Sequence, residues 1–217
     1  FWDGAEMVYG DGFSAADDVV GHELTHGVTE REANLFYFWE SGAINESFSD
    51  VWGEYVDQVM NFTGGDTAIL KWRMGEDVPG YPNGLRDMET PSTFGDPDSM
   101  TSIYYCESGN CYNYDNGGVH YNSGVNNKAA YLMVDGGTFN LKTVTPLGWT
   151  KTLTIYYEAQ TNLLASGAGY YDLYYALYQA CVNKVGTAGI SMIDCQEVRD
   201  ATDATRMNQE PAASYNP

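Results

Sequence analysis

Two stretches of this chain set ionisable side chains at helical spacing along one face, and that pairing constrains the fold more than any other feature. The first, Asp18-Val19-Val20-Gly21-His22-Glu23-Leu24-Thr25-His26, places two imidazoles four residues apart. Residues four apart on a helix lie one above the other, so His22 and His26 share a face, with Glu23 one position round and Asp18 one turn before. The second stretch carries Glu46, Asp50, Glu54 and Asp57 near one side of a helix whose apolar members are Ile44, Phe48, Val51, Tyr55, Val56 and Val59. A row of carboxylates like this cannot be packed against a neighbour without cations or hydrogen-bond donors.

Packing the two helices antiparallel meets that requirement. Glu46 then reaches the two histidines, Asp50 accepts the other N–H of one of them, and Asp18 meets Glu54 and Asp57. At a rise of ~1.5 Å per residue the two clusters lie roughly 10 to 15 Å apart. Two imidazoles and one carboxylate suit a zinc ion with an open fourth position, whereas a group of carboxylate oxygens suits calcium. The His-Glu-x-x-His pattern alone recurs by chance with odds on the order of a few per cent in a chain this long, so the second helix decides the reading.

The expected organisation is one mostly α domain over 1–217. A first helix spans about 14–31, with Ser14 as its cap and Asp17 and Asp18 in its first turn; a second spans about 43–60. From 61 to 122 the composition turns to Gly, Pro, Asn, Asp and Tyr, with turn signals at Gly64-Gly65, Pro79-Gly80, Asn83-Gly84 and Asp96-Pro97. A structureless stretch of that length in a compact domain implies a functional role or clamping by ions. Helical periodicity returns over about 123–206, in segments at 123–135, 147–165, 170–185 and 191–206. Tyr170, Tyr171, Tyr174, Tyr175 and Tyr178 form an aromatic stripe read as core packing.

Charge and cysteine content bound the partners. Ten Lys and Arg against thirty Asp and Glu give a formal net charge of −20. Such a surface repels phosphate backbones and anionic membranes, so no nucleic acid and no membrane partner is expected. Apolar runs such as Ala129 to Val134 are too short to span a bilayer. The chain begins at Phe1 without a signal pattern and reads as a processed, secreted monomer. Cys106, Cys111, Cys181 and Cys195 allow three pairings, of which Cys106 with Cys111 and Cys181 with Cys195 are the simplest; disulfides imply an oxidising compartment.

At the two helices and well beyond them the chain resembles the thermolysin-like neutral metallopeptidases of the pseudolysin and vibriolysin type. The resemblance rests on Met-Val-Tyr-Gly-Asp-Gly at 7–12, Asp-Val-Val-Gly-His-Glu-Leu-Thr-His at 18–26, Glu-Ser-Gly-Ala-Ile-Asn-Glu at 40–46 with Ser49-Asp50, Gly-Asp-Pro-Asp at 95–98, and Asp-Asn-Gly-Gly-Val-His at 115–120 with Asn-Ser-Gly at 122–124. It implies the multi-helix C-terminal domain of that fold and a zinc endopeptidase acting on peptide or protein substrates. His22, His26 and Glu46 would hold the zinc, and Asn45 and Asp50 would orient the histidines. Glu23 would be the general base, Tyr37 and His120 the oxyanion donors with Asp115 orienting His120, and Arg86 a ligand of a substrate carbonyl.

The same resemblance implies a pocket formed by Val19 and Leu85 for a large apolar residue just after the scissile bond. It also implies at least one structural calcium held by Asp18, Glu54 and Asp57, with Glu76 and Asp66 as further candidates; Lys71 and Arg73 stand where a paired calcium site would need acids. Family members carry a β-rich N-terminal domain before the zinc helix, and the chain opens after the point where that domain's substrate-pairing strand would lie. Two explanations stay open: the chain is a processed or recombinant fragment, or that domain or a pro-segment is a separate chain that partners it. The alternative to the endopeptidase reading is an incomplete zinc- and calcium-binding module that binds a pro-segment or inhibitor.

Overall fold

In a computed structural model, which describes residues 1–60, 66–107 and 109–211, helices dominate as the periodicity requires. α1 (Asp17–Arg31) and α2 (Trp39–Met60) form the most extensive helix pair. Next come a short ribbon of β1 (Arg73–Met74) paired antiparallel with β2 (Arg86–Asp87), and the small helices α3 (Gly109–Tyr114) and α4 (Val119–Asn122). α5 (Gly124–Asp135) leads through a hairpin of β3 (Gly137–Phe139) and β4 (Lys142–Val144) to α6 (Gly148–Glu158). A π-helical turn (Ala159–Leu163), α7 (Tyr170–Asn183) and α8 (Met192–Ala204) complete the order.

One apolar core gathers Ile44, Phe48 and Val51 of α2 with Leu132 and Met133 of α5, Ile155 and Tyr156 of α6, Leu173 and Leu177 of α7 and Val198 of α8. α2 therefore runs through the centre. Its apolar face looks into the core and its acidic face towards α1. Two glycines let the pair approach closely: a Cβ on Gly21 would lie 3.1 Å from Gly53 Cα, and one on Gly53 would lie 2.5 Å from Asp18 O.

The structure departs from the expected elements at definite places. Ser14 does not cap α1: it lies in a 3-10 turn (Phe13–Ala15), and the N-cap residue Ala16 has no side-chain hydrogen bond to offer. α2 begins at Trp39 rather than near Ala43. The irregular stretch contains the β1–β2 ribbon, α3 and α4; its Gly64-Gly65 turn signal lies outside the described residues. The tyrosine stripe is divided. Tyr170 and Tyr174 are buried, whereas Tyr171 and Tyr175 are exposed and Arg199 of α8 lies 4.0 Å over the Tyr174 ring and 4.3 Å over that of Tyr178. Both simplest disulfides form: Cys106–Cys111 closes the loop into α3, and Cys181–Cys195 ties α7 to α8. Among the described residues no helix is long and apolar enough to cross a membrane.

Candidate metal centre

The α1–α2 contact brings His22, His26 and Glu46 together with their ligand atoms within 4.8 Å of one another. Each histidine is oriented from behind. His22 Nδ1 lies 2.8 Å from Asp50 Oδ1 and His26 Nδ1 lies 2.8 Å from Asn45 Oδ1. Asn45 donates its amide to Leu35 O, so its oxygen faces the ring. Burial alone would raise the Asp50 carboxyl, yet Arg86 and then His22 hold it down at about 2. An ionised carboxylate and an amide oxygen only accept, so both Nδ1 atoms carry the hydrogen. Both Nε2 lone pairs are then left facing each other at 3.0 Å.

Glu46 completes this group of acceptors. Its Oε1 lies 3.3 Å from His26 Nε2 and its Oε2 lies 3.5 Å from His22 Nε2, and the fully buried Oε2 has no hydrogen-bond partner. Three converging acceptors, with the Tyr37 hydroxyl on Glu46 Oε1 and no donor between the two Nε2 atoms and Glu46 Oε2, suit a cation. For ligand atoms ~2.0–2.1 Å from a tetrahedral zinc the edges between them measure about 3.3 Å, so the observed separations fit that ion.

Asp50 is the hub behind the site. Besides His22 it accepts from Arg86 Nε at 2.9 Å, Arg86 Nη2 at 2.5 Å and Asn127 Nδ2 at 2.7 Å, which satisfies a carboxylate that is fully buried. Two contributors have no separate sequence signal: Asn127 on α5, and Ser49, whose Oγ lies 3.2 Å from His26 Nδ1. Each is one polar residue on an otherwise ordinary helix face.

The remaining site residues gather on the open side. Tyr37 donates its hydroxyl to Glu46 Oε1, and the same hydroxyl lies 3.2 Å from His120 Nε2. Burial next to Glu46 holds the Tyr37 phenol protonated. Asp115 binds His120 twice, at Nδ1 (2.5 Å) and at the backbone N–H (2.9 Å); burial works against the imidazolium, but the Asp115 bond outweighs it and the His120 pKa rises. A cavity of 320 Å³ is lined by His22, Glu23, His26, Tyr37, Glu46 and His120, among others, and Glu23 Oε2 is a buried acceptor without a hydrogen-bond partner. Leu85 and Arg86 line a neighbouring cavity. Val19 does not open onto these spaces, because it packs with Ala16 and Val78 in a small separate cluster.

The acidic cluster assembles differently from expectation. Asp57, Asp66 and Glu76 come within 4.8 Å of one another, and so do Asp17, Asp57 and Asp77. Asp18 instead turns its oxygens to backbone donors, Val19 N at 2.6 Å and Gly75 N. Glu54 accepts from Gln58 through one oxygen, and the other is buried with no partner. Lys71 and Arg73 do not neutralise the cluster, since they pair with Asp135 and Asp87. Burial raises Glu54 well above the carboxylate range, Glu76 to about 8 and Asp18 to about 6, with neighbouring acids adding to the rise.

Comparison with known proteins agrees with this geometry. A family model for the α-helical domain of thermolysin metallopeptidases matches residues 33–206, and one for their catalytic domain matches residues 1–30. The chain belongs to the thermolysin metallopeptidase family. It is 44% identical over 209 residues to a zinc metalloproteinase of Renibacterium salmoninarum, covering 94% of this chain and 37% of that protein. Bacillolysin of Brevibacillus brevis is 43% identical over 215 residues, with the same coverage of 94% and 37%. Among solved structures, the precursor of protealysin, a metalloproteinase from Serratia proteamaculans, superimposes with a TM-score of 0.74 at 32% identity, covering 95% of this chain and 64% of that one. The mostly α fold is thus that of the thermolysin α-helical domain, and the chain spans little more than a third of these two curated relatives.

Proposed function

We propose that this chain carries the metal centre of a zinc endopeptidase, with His22, His26 and Glu46 as the metal ligands. The observation that carries the reading is the pair of Nε2 lone pairs facing each other at 3.0 Å beside a buried, unpartnered Glu46 oxygen. Zinc bound there supplies a Lewis acid that lowers the pKa of water to about 7 and polarises a carbonyl. Asp50 and Asn45 hold the two rings in the tautomer that presents Nε2.

The other residues have roles that follow from their positions. Glu23, beside the histidines on α1, takes a proton from the attacking water and delivers it to the leaving amine. Tyr37 and His120 converge on one point and donate to the oxygen that gains negative charge as the carbonyl becomes tetrahedral, each contributing on the order of 100-fold in rate. Asp115 keeps the His120 Nε2–H directed there. Arg86, anchored to Asp50 through Nε and Nη2, has Nη1 left for a substrate carbonyl. Leu85 on the adjoining cavity wall favours a large apolar residue after the scissile bond, with discrimination of about 1–3 kcal/mol per methylene. The two disulfides support secretion into an oxidising compartment.

Hydrolysis of a quenched Gly-Leu peptide by the full-length protein tests this reading. Activity should vanish on chelation and return with one equivalent of zinc; hydrolysis that persists at zero zinc contradicts it.

The acidic cluster is the proposed calcium site, which Asp57, Asp66 and Glu76 would hold together with the unpartnered oxygen of Glu54. With raised carboxyl pKa values the calcium-free fold binds more protons than the unfolded chain, whose carboxyls titrate near pH 4. Stability is then lost as pH rises through the folded values, from about pH 4 to about pH 8. Calcium replaces those protons, so its stabilisation should grow across that window and reach about 2.7 kcal/mol at a hundredfold excess over Kd. Melting curves from pH 5 to pH 8, with and without calcium, measure it. Asp57→Asn should abolish the calcium increment and leave zinc content unchanged; equal curves with and without calcium exclude the site.

A further inference from the structure

Beside His120, away from the candidate zinc ligands, lies a cavity of 620 Å³ whose wall includes Leu85, Arg86, Phe94, Asp96, Asp115 and His120. Three of the charged groups in it differ in one respect. Arg86 is committed to Asp50 through Nε and Nη2, and Asp115 commits both oxygens to His120. Asp96 is only 6% exposed, its carboxylate has no hydrogen bond or ion pair with any described residue, and it lines the cavity wall. Its position is fixed by packing: Asp96 N donates to Pro91 O at 3.1 Å, and the start of α5 comes so close that a Cβ on Gly124 would meet Asp96 Cβ at 3.2 Å.

A largely buried carboxylate without a partner is disfavoured in its charged form, and burial pushes the Asp96 pKa to about 7 even with Arg86 pulling it down. A group kept at that cost and opening into a cavity calls for a ligand that supplies the missing donor. The walls specify its chemistry. Phe94, Tyr114 and Tyr121 offer aromatic faces, which with a carboxylate suit an ammonium or guanidinium on an aliphatic stem. Asp50, paired with Arg86 at 2.5 Å, offsets part of the Arg86 charge that such a guest would meet.

We propose that this cavity is a substrate subsite on the leaving-amine side of the scissile bond, and that Asp96 selects a lysine or arginine side chain there. The placement follows from Leu85 and Arg86, which line this cavity and which the endopeptidase reading assigns to the residue after the scissile bond and to a substrate carbonyl, respectively. The proposal rests on that reading for its place in the reaction, but the ion pair itself does not require turnover.

Quenched peptides sharing a Gly-Leu bond and differing only in the next one or two residues, Lys, Ala or Glu, test the selection on the zinc-loaded full-length protein. The expected kcat/KM order is Lys, then Ala, then Glu, with Lys favoured over Ala about tenfold, the scale of one charge-assisted hydrogen bond. Asp96→Asn should reduce the Lys-to-Ala ratio to within about twofold. Titration of the product-like amides Leu-Lys-amide, Leu-Ala-amide and Leu-Glu-amide reads the same subsite without catalysis. Equal rates for all three peptides, or equal affinities for all three amides, overturn the proposal while leaving the endopeptidase reading intact. Tighter binding of Leu-Lys-amide by a protein that cleaves no peptide supports the subsite and removes the endopeptidase reading instead.

Discussion

Glu23→Gln is expected to abolish peptide hydrolysis, by about 10²- to 10⁴-fold in kcat, while the protein keeps one equivalent of zinc. The amide matches the carboxylate in shape and cannot take a proton from water. Glu23 stands outside the three-atom cluster of His22, His26 and Glu46, so its change leaves the metal ligands in place. It lines the same cavity as those ligands, with Oε1 3.2 Å from the Phe1 amine and Oε2 buried and unpartnered, an oxygen left for water or substrate. Zinc analysis, the melting temperature and peptide turnover on one preparation separate the roles. Lost turnover with zinc retained is the predicted pattern. Unchanged turnover removes Glu23 from the mechanism.

Gly53→Ala is expected to destabilise the fold by about 1–3 kcal/mol and to weaken zinc binding at least about tenfold, although residue 53 is not a zinc ligand. The added Cβ would stand 2.5 Å from the backbone oxygen of Asp18 and 3.3 Å from Met74 Cε. A backbone atom at that distance cannot rotate aside, so α1 must move from α2. The two histidines ride on α1 and Glu46 on α2, so the separation opens the ligand cluster directly. Gly21→Ala supplies the contrast: its Cβ would meet Gly53 Cα at 3.1 Å and Val56 Cγ2 at 3.2 Å, contacts that yield by a few tenths of an ångström. Its cost should be smaller, and partly offset by the roughly 1 kcal/mol that alanine gains over glycine in a helix. Equal zinc affinities for Gly53→Ala and the unsubstituted protein contradict this account of how the helices set the site.

Helical spacing of His22, His26, Glu46 and Asp50 reads directly into the structure because each helix repeats its period over several turns, and a 3.6-residue period fixes which side chains share a face. The same rule placed α5, α7 and α8 within two residues of their observed ends, whereas the segment expected to 165 is α6 to Glu158 followed by the π-helical turn to Leu163. It could not describe the stretch between α2 and α5, where strands of two residues and helices of four to six are too short to repeat their period.

The acidic cluster exposes a second limit. Asp17 and Asp18 are neighbours, and period alone assigns Asp18 to the metal face. The structure turns the Asp18 oxygens to Val19 N and Gly75 N and sets Asp17 beside Asp57 and Asp77. That choice depends on where the loop of Gly75 to Asp77 returns against α1, a tertiary contact with no local signal. Asp96 was legible only as part of a motif; its lack of a partner emerges when Asp50 and Asp115 are seen to take Arg86 and His120.

Anomalous diffraction at the zinc edge, on crystals of the zinc-loaded protein, tests the central claim most directly. The account predicts one strong peak between His22 Nε2, His26 Nε2 and the Glu46 carboxylate, at about 2.0–2.1 Å from each, and no zinc peak among Asp57, Asp66 and Glu76. A zinc peak in the acidic cluster with none between the histidines contradicts it.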